Sequence, residues 1–297
     1  MMHHVTRRGF LSGSAAVGAA LAASRLAGAE AAPKPGGKIR FGLVTYLWGM
    51  DSPLPTLIKN LETTKVLGVE LRTTHKHGVE RSLNAAQRKD VKKRFDDSPV
   101  TLVGIGSNER FDNPDPAVLQ RAIKATKDFI QLSHDVGGSG VKVKPNSFHK
   151  GVPREKTIEQ IGKSLNVLGK FGADLGQQLR LEVHGQCCEL PTMKKIMDVA
   201  SDPNVGVCWN SNSADLKGEG LEHNFNLVKE RFGATAHVRQ FNSGKYPYQK
   251  LIELFVKMDY NGWILLEAHG RRKEYVKPLA EQRQMFLKML AKARETV

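Results

Sequence analysis

Leu181-Glu-Val-His-Gly185 recurs, with one residue changed, as Leu266-Glu-Ala-His-Gly270, and each copy closes an apolar run. In an extended strand, residues two apart share a face. Glu182 and His184 therefore point one way, while Leu181 and Val183 point the other. Glu267 and His269 repeat the arrangement. One such Glu or His is ordinarily a satisfied core group. A carboxylate and an imidazole at a strand end, followed by a turn glycine and written twice, point to a site.

Working outward, the two copies end the fifth and eighth of eight short apolar, β-branched runs: 39–44, 68–71, 100–105, 141–144, 179–183, 205–209, 236–241 and 263–266. Between them lie stretches of helical period, 54–67, 117–136, 158–175, 193–200, 225–232 and 248–258, with a last one at 275–293. Residues 88–94 read as a further, highly charged helix. Alternating strands and helices imply parallel strands joined by crossover helices. Eight such units in this length predict an α/β fold, a (β/α)8 barrel forming one domain over 38–297. An open doubly wound sheet is the alternative. No Gly-x-Gly-x-x-Gly follows the first strand, so that fold is disfavoured and no nucleotide cofactor is expected.

Residues 1–29 are set apart. Thr6-Arg-Arg-Gly-Phe-Leu11 has a twin-arginine pattern, a weakly apolar run extends to Ala23, and Ala27-Gly-Ala29 offers a small-residue cleavage site. This reads as an export signal, with a periplasmic or otherwise extracytoplasmic destination. The apolar run is shorter than the ~20 residues a bilayer crossing needs, so no stable membrane insertion is expected after cleavage. Residues 30–37 form a flexible leader.

The formal charge is +15; removing Arg7, Arg8 and Arg25 leaves +12. Lysines and arginines are spread among acids on helical stretches, which favours a solvated surface over a nucleic-acid-binding face. Cys187, Cys188 and Cys208 form neither a disulfide framework nor a zinc knuckle. A homo-oligomer is compatible with these features.

In such a barrel the active site lies at the C-terminal ends of the strands. There the sequence places Glu70, Arg72, His75 and His77, then Glu109, Lys142 and Lys144, then Glu182, His184, Asn210, Asn212, His237, Arg239, Glu267 and His269. His134, His149 and His223 fall outside the cluster. Glu70, His75, His77, Lys144, His184, Arg239 and His269 are the candidate substrate contacts. Lys142, Lys144 and Arg239 suit a carboxylate or phosphate, or alternatively pair with Glu70 and Glu109. Opposed carboxylates with an imidazole and a side-chain oxygen suit one divalent ion, Mn, Mg, Zn or Co. Such an ion polarises a carbonyl while flanking glutamates move a proton at the adjacent carbon.

Gly68-Val-Glu-Leu-Arg72 with His75-Lys-His-Gly78, Leu181-Glu-Val-His-Gly185, Val205-Gly-Val-Cys-Trp-Asn210, His237-Val-Arg239 and Leu266-Glu-Ala-His269 together resemble the xylose isomerase-like barrels. That family groups sugar phosphate isomerases and epimerases, including hydroxypyruvate isomerases and ketose 3-epimerases. The resemblance runs from about Lys38 to the C-terminus. It implies a sugar substrate, Glu182, Asn210, His237 and Glu267 as metal ligands, and Glu182 and Glu267 as the acid/base pair. Where the family shows Asp followed three residues later by His, this chain has Asn210 and Ser213. The ligand set drops from three negative charges to two, and Asp215 sits too far along to replace the lost one. A non-catalytic sugar-binding barrel is therefore the main alternative, and an endonuclease IV-like nuclease a more distant one.

Overall fold

The computed structural model describes residues 36–296. The expected signal over 1–29, and the leader up to residue 35, lie outside the described residues. Eight strands run in order around a closed parallel barrel: β1 Arg40–Val44, β2 Gly68–Arg72, β3 Thr101–Arg110, β4 Gly140–Lys144, β5 Gln178–Glu182, β6 Val205–Asn210, β7 Phe232–Val238 and β8 Trp263–Leu266. Eight helices alternate with them: α1 Leu54–Thr64, α2 Ala85–Asp96, α3 Pro116–Asp135, α4 Arg154–Ala173, α5 Leu190–Val199, α6 Leu221–Val228, α7 Tyr248–Lys257 and α8 Val276–Thr296. The (β/α)8 expectation holds. Among the described residues, no helix is long and apolar enough to cross a membrane.

The two-residue period of the strands sorts the core. Outward-facing Leu43, Val69, Leu71, Val141, Val143, Leu179, Leu181, Val207 and Leu266 are buried against the helices in one large apolar cluster. The barrel interior holds only a small apolar cluster, Val44, Val103, Trp263 and Leu265. Gly68 is required beside it, because a Cβ there would meet the Trp263 ring at 2.2 Å. Next to that plug, buried Arg180 donates to the Val103 and Ser139 carbonyls and to Gln178 Oε1. The floor of the barrel is thus closed, and inward side chains nearer the strand ends are free for chemistry.

Three departures from the sequence reading have physical causes. β7 starts at Phe232, not 236, and ends at Val238. Phe232 joins an aromatic cluster with Trp209, Phe225, Phe255 and Tyr260, at centroid distances of 6.1, 5.0, 5.5 and 6.2 Å, which draws it out of the expected helix. β3 continues to Arg110, so Glu109 lies on the strand and lines a groove with Val118, Arg121 and Ala122 of α3. α2 buries only Val91 and Phe95; its start is fixed by a capping box between Asn84 and Gln87.

Candidate active site

Inward positions on or just past six strands, β2 and β4 to β8, build one buried charged cluster. Glu182 ends β5, Asn210 ends β6, His237 stands one residue before the end of β7, and Glu267 directly follows β8. Asn210 Nδ2 donates to Glu182 Oε1 at 2.7 Å and to Glu267 Oε2 at 3.3 Å. The amide therefore bridges the two carboxylates. His237 lies between two acids, with Nε2 3.3 Å from Glu70 Oε1 and Nδ1 3.7 Å from Glu182 Oε1. Lys142 closes the other side, its Nζ donating to Glu182 Oε2 at 2.7 Å and to the Ser107 carbonyl at 3.3 Å. Lys142, Glu182, His237 and Glu70 are almost wholly removed from solvent.

Burial alone would raise the carboxyl pKa of Glu182, but the adjacent Lys142 and His237 overcome it and hold Glu182 well below the usual range. Glu70 is lowered in the same way: burial opposes, His237 and Lys142 prevail. Burial works against a charged His237. The Cys208 sulfur and the Glu70 and Glu182 carboxylates nevertheless raise it well above an ordinary histidine. Opposite charges in a low-dielectric interior set each other's ionisation.

A divalent ion can be tested against this donor set. One ligand atom each from Glu182, His237 and Glu267 lies within 4.8 Å of the others. Oxygen and nitrogen ligands about 2.0–2.2 Å from a small divalent ion stand about 3–4.4 Å apart, so only a slight closure is needed. Neither ring nitrogen of buried His237 makes a hydrogen bond, so loss of its proton would free one of them for a cation. The Asn210 amide, however, turns its nitrogen toward the glutamates. Only a flipped amide brings its oxygen to an ion. The residues fit, with Asn210 the weakest member.

The other candidates are spread over the mouth. Lys144 Nζ donates to Asn108 Oδ1 at 3.2 Å. His75 and His184 are half-buried, each with an unpartnered Nδ1. Burial, then His77 and Arg72, press His75 down to about 4; burial also lowers His184 against the pull of Glu182. His269 sits at the rim, its ring 5.9 Å from Tyr46, and its backbone N–H donates to Gln240 Oε1. Arg239 lies just past β7 and lines a cavity of about 510 Å3 with Ser211, Tyr246 and His269. His77 is turned away from the mouth. Its Nε2 meets the Arg72 carbonyl at 2.8 Å, and its Nδ1 accepts from the Val79 N–H at 3.1 Å. Both ring nitrogens are committed to shaping that loop.

Asp215, set aside as a ligand on sequence, caps a short 3-10 turn, Ser213–Leu216, and accepts from Tyr246 and the Asn212 N–H. Gly185, the turn residue of the first motif copy, has φ +69°, and a Cβ there would lie 2.3 Å from the Asn146 carbonyl oxygen. Glycine is obligatory at that close approach. Lys142 and Arg72, both placed at the strand ends by the sequence, take partners it did not name: Glu182 and Asn108. The alternation in Gly140-Val-Lys-Val-Lys144 is the signal that puts both lysines inside the barrel.

The family profile described as Xylose isomerase-like TIM barrel matches residues 58–290. A search of curated proteins finds no match. Among solved structures, an L-ribulose 3-epimerase superposes with a TM-score of 0.73 at 14% identity, covering 87% of this chain and 96% of its own. A 3-keto-D-glucoside 4-epimerase from E. coli gives 0.71 at 13%, covering 84% and 99%. A D-psicose 3-epimerase from Clostridium cellulolyticum, solved with D-tagatose, gives 0.69 at 13%, covering 86% and 99%. At such identities these likenesses establish the shared fold.

Proposed function

The chain belongs to the xylose isomerase-like TIM barrel family, and we propose that within it the protein is a sugar isomerase or epimerase. In this reading Glu182 and Glu267 move a proton to and from the carbon beside a sugar carbonyl. The observation that carries it is the convergence of the two carboxylates, bridged by the Asn210 amide at 2.7 and 3.3 Å. Carboxylates held that close can address opposite sides of one carbon.

Glu182 enters the cycle ionised, because Lys142 and His237 stabilise its anion, and acts as the base. Lys142 fixes Oε2, leaving Oε1 directed toward Asn210 and Glu267. As the proton leaves carbon, negative charge grows on the carbonyl oxygen, and the cations of the site oppose it in a water-poor interior. Delivery to the opposite face of a proton carried by Glu267 inverts the carbon, the abstracted proton staying on Glu182 until both groups re-equilibrate with solvent, whereas return of the Glu182 proton at the neighbouring carbon interconverts ketose and aldose. A divalent ion, Mn, Mg, Zn or Co, would be held by Glu182, His237 and Glu267, with Asn210 as a fourth ligand after an amide flip. When bound it supplies polarisation of the substrate carbonyl.

Incubation of keto-sugars with the protein in deuterated water tests the assignment. Deuterium should enter the carbon beside the carbonyl, and Glu182→Gln or Glu267→Gln should slow that exchange by about 10²–10⁴-fold with unchanged circular dichroism. Exchange at the native rate in both variants removes the assignment.

A further inference from the structure

The mouth of the barrel contains two cations that share one uncharged acceptor. Arg72 ends β2 and Lys144 ends β4, and they meet across β3 at Asn108. Its Oδ1 accepts from Arg72 Nη2 at 3.0 Å and from Lys144 Nζ at 3.2 Å. The nearby ion pairs use other residues: Lys142 with Glu182, and His237 with Glu70. Among the described residues neither Arg72 nor Lys144 has a carboxylate partner, and Glu109 faces α3 from the other side of β3.

This is a built feature rather than a solvated pair. Arg72 is only 7% exposed, and its buried Nε has no hydrogen-bond partner. Gly106 makes room for it, since a Cβ there would stand 2.9 Å from Arg72 Cδ and 2.7 Å from Glu70 Oε1. The Tyr46 ring, 5.5 Å from the guanidinium carbon, backs the planar cation. Burial first, then Lys142 and Arg72, lower Lys144 to about 8, against the opposing pull of Glu182 and Glu267. Two cations brought together in a partly desolvated place repel each other, and a neutral amide oxygen relieves little of that repulsion. Planar guanidinium and ammonium donors around one opening are the complement of a carboxylate or phosphate. Among the described residues Arg239 also has no ion pair, but it is exposed beside an open cavity, which Lys245 lines as well.

We propose that Arg72, Asn108 and Lys144 form an anion subsite, and that the substrate is an acidic sugar. Its carboxylate or phosphate docks between the two cations while its carbonyl end lies at Glu182 and Glu267. The inference rests on the acid/base reading above for the carbonyl end only; the anion subsite stands on its own contacts. Lys144 stands two residues along β4 from Lys142, whose Nζ contacts Glu182 at 2.7 Å; that step is about 6–7 Å of strand, so one small molecule can reach from the cation pair to the carboxylate pair.

The test compares deuterium exchange into three matched ketoses: a neutral ketohexose, its 6-carboxylate and its 6-phosphate. Calorimetric binding of gluconate against sorbitol runs in parallel. Acidic sugars should be preferred in kcat/KM by on the order of tenfold to a hundredfold, the worth of a charge-assisted contact. The better of the two acids identifies the anion class. Asn108→Asp, nearly isosteric, places an internal carboxylate between the cations and should reduce the preference to about one. Lys144→Met should reduce it in the same direction. A neutral sugar turned over as well as the acids, or a preference that survives Asn108→Asp, overturns the subsite while leaving the acid/base reading intact. Gluconate binding abolished by Asn108→Asp, with no exchange from any sugar, upholds the subsite and overturns the acid/base reading. No selectivity in either assay overturns the subsite.

Discussion

Lys142→Met puts the buried charge cluster under direct test. Lys142 is 0% and Glu182 1% exposed, and their 2.7 Å contact is the shortest link in the cluster between a cation and a carboxylate. Methionine keeps most of the stem volume and removes the charge. Glu182 Oε2 then loses its counter-ion inside the barrel, and breaking one side of a buried pair costs about 3–5 kcal/mol. The lost contact to the Ser107 carbonyl adds about 1 kcal/mol. A loss of roughly 4–6 kcal/mol should lower the melting temperature by on the order of 10 °C or more. The signs follow from Glu182. With Lys142 present its pKa is depressed, so the stability it contributes is present above its ordinary value of 4.5 and lost as pH falls through the folded value. In Lys142→Met that dependence should flatten, because the carboxyl no longer gains from being ionised. Urea unfolding at pH 7 measures the loss, and a series from pH 5 down to about pH 3 measures the flattening. The double variant Lys142→Met/Glu182→Gln, which leaves no uncompensated charge at this contact, should recover most of the loss. A single-variant loss below about 1 kcal/mol, or a double variant as unstable as the two losses added, refutes the reasoning.

Two further outcomes follow from the same site. Burial pushes the Asp215 carboxyl up to about 7 against the hydrogen bonds from Tyr246 and Asn212; a raised folded value favours the fold fully below about 4, and that advantage is lost as pH rises to about 7. The linkage is worth roughly 4 kcal/mol, so Asp215→Asn should show a flatter stability curve than the native protein between pH 4 and 7 in urea titrations, and parallel curves reject this. Asn210→Asp restores a third carboxylate beside Glu182 and Glu267: it should lower the metal-free melting temperature and give a larger Mn²⁺- or Zn²⁺-dependent rise than the native chain, whereas an ion effect no larger than native would show that position 210 does not face a cation.

Much of the fold is legible because a barrel repeats one simple pattern. Runs such as Gly140-Val-Lys-Val-Lys144 and Val205-Gly-Val-Cys-Trp-Asn210 alternate cleanly, so strand and inward face are both readable. Phe232-Gly-Ala-Thr-Ala-His-Val238 is small and weakly apolar, and its first residue belongs to an aromatic cluster assembled from distant segments. Local periodicity therefore placed that strand four residues late. In the site, the glutamates, Asn210 and His237 stood out because each occupies a strand end in register. Their partners did not. That Lys142 meets Glu182 and not Glu70, and that Arg72 and Lys144 meet over Asn108, depends on pairings 36 to 40 residues apart in the chain. His77 shows the converse: its position is that of a substrate contact, yet two short-range backbone bonds occupy its ring.

The departure at position 210 acquires a physical meaning once Lys142 is counted. Glu70, Glu182 and Glu267 carry three formal negative charges, and the buried ammonium offsets one of them. A neutral His237 leaves a formal charge of −2, the complement of one divalent ion; a protonated His237 leaves −1 and a site that is nearly balanced without one. An aspartate at 210 would add another negative charge to the metal-free state, beside two acids already in contact with the Asn210 amide. Asparagine instead donates to both, holding the acid/base pair together in the metal-free state. Ion binding must then expel the proton that Glu70 and Glu182 keep on His237, which couples occupancy to pH. His237 thus links the two charge states, while Asn210 bridges the carboxylates in the metal-free one.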